Sequence, residues 1–146
     1  MENINNFKVG ILSVLGMIGS VIANILGGWD MALQTLVLFM AVDYITGLIV
    51  AGVFNKSEKS ETGALESKAG WKGLFKKGVT LMIVLVATQL DKMTGTKIIR
   101  DAVIIAYVAN EAISIIENAG LMGVPIPDII KRTLEMLRNK EGADND

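Results

Sequence analysis

The chain contains no cysteine and no histidine. The first absence excludes a disulfide framework, a thiolate nucleophile and a cysteine metal cluster. The second removes the commonest general base and the commonest metal ligand. No remaining residue set supplies nucleophile, base and oxyanion donors together, so an enzyme is not expected. Charge is also scarce, at 20% of residues, where soluble domains carry about 25%. The formal net charge of −1 leaves no general basic surface, and no nucleic-acid partner is expected. What is abundant is apolar surface: 51% of residues are hydrophobic and the mean hydropathy is +0.49. At 146 residues the chain is expected to form one unit.

The apolar residues come in runs. A membrane-crossing helix needs about 20 mostly apolar residues. Val9 to Leu26 carries no charge, and Met31 to Phe54 carries only Asp43. Trp29, in the short turn between them, stands where an interfacial aromatic belongs. Two later runs, Val79–Leu90 and Ala102–Ile116, are short. They cross a bilayer only if flanking lysines snorkel, and a re-entrant or interfacial hairpin is the alternative. The expected architecture is an all-α integral membrane protein with three to four transmembrane helices, spanning about 9–26, 31–54, 75–92 and 99–117. Residues 1–118 then form the membrane domain. A C-terminal amphipathic cytoplasmic helix and tail follow over 119–146, with Asp128 as a fair N-cap. The N-terminus lacks a clean small-x-small cleavage site, so the first run is expected to stay as a helix rather than to be removed.

Between the second and third runs, residues 55–78 read as a polar loop, with a short interfacial helix possible near Trp71 and Phe75. This loop holds Lys56, Lys59, Lys68, Lys72, Lys76 and Lys77. Lysine excess marks the cytoplasmic side, which places the loop and both termini in the cytoplasm. These lysines are expected to set topology or to touch anionic lipid. Lys92, Lys97 and Arg100 would then lie on the opposite side, against the rule. The glycines of the loop show no phosphate-binding pattern. The methionines read as packing filler, so no metal site and no cofactor are expected.

Two groups of polar residues interrupt the apolar runs. Asp43, followed by Thr46 and Gly47, is a carboxylate that costs roughly 2.5–3.5 kcal/mol to insert. It is expected either to line a pore or bridge subunits, or to serve as an internal tie to Thr46 or Tyr44. In the fourth run Tyr107, Asn110, Glu111, Ser114, Glu117 and Asn118 recur at spacings of three and four, which makes one polar helix face. Such a face lines water, contacts another polar helix, or lies at the headgroups.

The order of these pieces resembles a phage holin family that also contains the toxin-secretion holins of clostridia. The resemblance runs over roughly 30–140. It rests on Asp43-x-x-Thr46-Gly47, on Ser67-x-x-Gly70-x-x-Gly73-x-x-Lys76-Lys77, on Asn110-Glu111-x-x-Ser114-Ile115-x-Glu117-Asn118, and on Gly123-x-Pro125-x-Pro127. It implies a homo-oligomer in the bacterial (host) cytoplasmic membrane that permeabilises it, with an endolysin or toxin as functional partner. Two other classes fit the residues alone. A small ion-channel or transporter subunit would use Asp43 and Glu111, and a membrane scaffold would use the lysine loop and the C-terminal helix.

Overall fold

The computed structural model describes residues 2–57, 66–130 and 132, which form helices and turns. α1 spans Glu2–Ile25, α2 Met31–Ile49, α3 Ser67–Thr94 and α4 Ile98–Leu121. α2 runs on through a π-helical turn, Val50–Phe54, that stops at Asn55 in the left-handed region. By length and composition three stretches among the described residues can cross a membrane: Asn5–Ile25, Met31–Phe54 and Ser67–Thr94. α4 has 24 residues, but Arg100, Asp101, Glu111 and Glu117 lie on it.

α1 ends because Gly27 and Gly28 adopt positive φ, with Gly27 N–H donating to the Asn24 carbonyl and Gly28 N–H to that of Ala23. This double bond closes the last turn and turns the chain back. Asp30 then starts α2, its carboxylate accepting from Leu33 N–H at 2.9 Å. α4 ends by the same device at Gly123.

α2, α3 and α4 form a bundle with α4 as its hub, packed on both α2 and α3. Each helix turns inward a stripe that repeats at about three and four residues: Leu33, Leu36 and Met40 on α2, Val84 on α3, Ile104 on α4. Leu33, Leu36 and Val84 are fully buried. The same stripes become polar toward both ends. Asp43, Glu111 and Asn118 lie toward one end, and Thr88, Asp91 and Arg100 toward the other. About 20 Å of helix separates Asp30 from Asp43. α1 stands apart: none of its most apolar stretch is buried.

Two expectations change. The third helix begins at Ser67, well before 75, so Lys68, Lys72, Lys76 and Lys77 are helical residues and not loop. Gly70 and Gly73 do not break it, because α3 sets them against the Tyr44 ring, where a β-carbon would meet that side chain at 3.6 and 3.9 Å. The third and fourth helices are also longer than their apolar runs, at 28 and 24 residues, since polar residues are accommodated at both ends. The expected C-terminal helix, apart from Asp128–Ile130 and Arg132, and Lys59 lie outside the described residues.

Candidate functional site

Packing of α3 on α4 across the 95–97 turn sets Val84 and Ile104 together in the core and Lys77 beside Glu111 toward the far end. α2 supplies Asp43 at the same level. Lys77 Nζ lies 2.8 Å from Asp43 Oδ2 and 2.5 Å from Glu111 Oε2. All three side chains are nearly buried, at 13%, 9% and 9% exposure.

Asn118, two turns beyond Glu111, completes the cluster. Its amide donates to Asp43 Oδ1 at 3.1 Å and to Thr46 Oγ1 at 3.0 Å. The Thr46 hydroxyl in turn donates to the Val42 carbonyl at 2.9 Å. Gly47 faces Asn118, where a β-carbon would stand in ordinary van der Waals contact with the amide nitrogen at 3.8 Å. A charged group in a low-dielectric interior is tolerable only when paired and hydrogen-bonded, and here both carboxylates share one ammonium.

This cluster forms the inner wall of an open cleft of about 1380 Å³ between α2, α3 and α4. Tyr107, Asn110, Ser114 and Glu117 of α4 line it, as do Lys68, Lys72 and Lys76 of α3. Trp71, Phe75, Val79 and Ile83 give it an apolar side. The polar face read along α4 is thus divided. Glu111 and Asn118 are buried among the helices, Tyr107 and Ser114 are half-buried, and Asn110 and Glu117 are exposed.

Of the six lysines assigned to topology or lipid, Lys77 departs most. It is inside the bundle because its α3 position faces Asp43 and Glu111, whereas Lys68, Lys72 and Lys76 remain exposed. The sequence reading did not join Lys77 to the two acids. No local spacing marks the pairing, since the three residues lie on three helices and Lys77 is 34 residues from each acid.

A second cluster was also missed. Arg100 is buried and donates from Nε to the Leu26 carbonyl at 2.7 Å and from Nη1 and Nη2 to Asp30 at 2.7 and 3.1 Å. Thr88 donates to the same Leu26 carbonyl at 3.2 Å. Asp91 accepts from Thr96 and from the backbone N–H groups of Ile99 and Arg100, which caps the start of α4. Arg100 is therefore paired with an acid of the 27–30 turn. Its guanidinium, by hydrogen bond and by charge, holds the Asp30 carboxyl below the ordinary carboxylate range.

The fold and these clusters define an all-helical membrane protein whose bundle keeps paired charges at both ends of an apolar core. A family model described as the bacteriophage holin family matches residues 20–139. The chain belongs to that family. It is 42% identical to an uncharacterized 14.9 kDa protein of Clostridium perfringens, over 97% of this chain and 100% of that one. It is 38% identical to an uncharacterized protein of Listeria monocytogenes, over 95% of this chain and 91% of the relative. A protein named probable holin, from Bacillus phage phi105, is 30% identical over 78% of this chain and 76% of its own length. No solved structure matches the chain.

Proposed function

We propose that this chain is a holin that assembles with copies of itself in the bacterial cytoplasmic membrane and opens it to an endolysin or a toxin. The observation that carries the reading is the polar cleft set into a bundle of membrane-length helices in a chain of the holin family. Lipid cannot satisfy Asn110 and Glu117. Assembly that turns this cleft face toward water relieves that cost. Asp43, Gly47 and Glu111 belong to the inner wall, and Thr46 and Asn118 hold it from behind. A cation-conducting subunit would need Asp43 and Glu111 free to bind its ion, and both already engage Lys77. No chemical step is required of the protein.

The lysine-bearing end, with Lys56, Lys68, Lys72 and Lys76, faces the cytoplasm in this reading, and so do both termini. The test is culture turbidity during co-expression with an endolysin that lacks a signal sequence. Abrupt clearing after a delay, absent without this chain, is the expected outcome. Steady growth with the protein well inserted overturns the proposal.

A further inference from the structure

The length of α3 exceeds what a bilayer core needs. Its 28 residues rise about 42 Å, against about 30 Å of hydrocarbon, or about 20 residues. Asp91, Thr96, Arg100 and Asp30 make a polar layer at one end, which fixes that end near a membrane surface. Counting back about 20 residues from Asp91 reaches Trp71. The first turns of α3 therefore stand at headgroup depth.

Those turns carry a specific surface. Lys68, Lys72 and Lys76 recur every fourth residue and lie on one side of the helix. All three are exposed, and among the described residues none of their ammonium groups is in an ion pair. Beside them Trp71 and Phe75 are 61% and 69% exposed, their ring centroids 6.1 Å apart. Below, the cleft continues along Val79 and Ile83.

We propose that the N-terminal third of α3 is a binding surface for an anionic phospholipid. Lys68, Lys72 and Lys76 take its headgroup, and the Trp71, Phe75, Val79 and Ile83 side of the cleft takes an acyl chain. The lysines meet the phosphate at the depth where it lies, and the aromatic pair occupies the interface between headgroup and chain. The lipid lies against the outer wall of the cleft, with the Lys77 cluster at the inner wall. Occupancy of this surface is independent of whether the assembled protein lyses a cell.

The test uses full-length protein carrying W29F, which leaves Trp71 as the sole tryptophan, reconstituted in phosphatidylcholine nanodiscs containing phosphatidylglycerol. Either lipid is supplied brominated in its acyl chains, and quenching of Trp71 is read. Brominated phosphatidylglycerol is expected to quench more strongly than brominated phosphatidylcholine at equal fraction. The K68Q, K72Q and K76Q substitutions should lower that preference by roughly fivefold each, while K68R/K72R/K76R keeps it. Equal quenching by the two lipids overturns the proposal. So does a preference that survives K68Q/K72Q/K76Q in a variant that still inserts. Loss of the preference to added inorganic phosphate would reassign the lysines to a free anion and overturn the lipid source.

Discussion

Lys77 and Asp43, which belong to different helices and lie 34 residues apart in sequence, meet at 2.8 Å inside the bundle. The contact joins α3 to α2 beside the packing of Gly70 and Gly73 against Tyr44. Glu111 shares the same ammonium from α4, so one side chain ties three helices at one level. Removing the ammonium takes away the charge that both carboxylates share. Lys77→Met is expected to destabilise the bundle by about 3–5 kcal/mol, measured as loss of helical circular dichroism on titrating mild-detergent micelles with a denaturing detergent. Lys77→Arg, which keeps the charge, should retain most of the stability.

Asn118 and Asn110 share one stripe of α4 in sequence and differ in role. Asn118 is buried with its amide committed to Asp43 and Thr46, whereas Asn110 is exposed in the cleft. Asn118→Ala should cost about 1–3 kcal/mol in the same titration, since Asp43 Oδ1 loses a buried donor. Asn110→Ala should leave stability unchanged and alter lysis timing in the turbidity assay. The reverse pattern would exclude the cleft face as the lining.

The Asp30–Arg100 pair gives a pH dependence with a definite sign. The folded carboxyl titrates below its unfolded value because Arg100 holds its charged form. The pair therefore stabilises the fold above the ordinary carboxylate range, near pH 3.9. That contribution is lost as pH falls through the lower folded value. Comparing wild type with Asp30→Asn between neutral and acid pH should show the difference in stability shrinking on acidification. A constant difference would mean that the carboxylate charge at Asp30 contributes nothing.

Two glycines separate folding from assembly. A β-carbon on Gly27 would sit 2.6 Å from Arg100 Nε, at a φ of +94°, so Gly27→Ala should destabilise the bundle by more than about 1 kcal/mol. At Gly19 in α1 a β-carbon meets nothing within 4 Å. Gly19→Ala should leave the isolated chain as stable or raise it by about 0.5–1 kcal/mol. Any change in oligomer size on cross-linking would then come from contacts between copies.

Much of the helical plan was legible without coordinates. Val9–Leu26 and Met31–Phe54 stand out as long apolar runs; α2 with its π-helical turn covers the second, and α1 ends with the first but begins seven residues before it, at Glu2. The turn at 27–30 was marked by its glycines and by Asp30. α3 was less legible, because Gly70, Gly73 and four lysines read as loop when taken one at a time. They become helical once Tyr44 covers the glycines and Asp43 and Glu111 receive Lys77.

The polar residues divide along the same line. That Asp43 and Glu111 need partners follows from the cost of a charge in hydrocarbon, which depends on residue type and on the length of the surrounding apolar run. Membrane residence, helical class and the presence of a polar stripe on α4 are therefore properties of the sequence alone. Which group meets Asp43, which half of the stripe is buried, and that Arg100 closes on Asp30 and the Leu26 carbonyl depend on helix register across the bundle. Tertiary packing alone decided those pairings, because each joins groups separated by 34 to 75 residues, whose approach no local periodicity encodes.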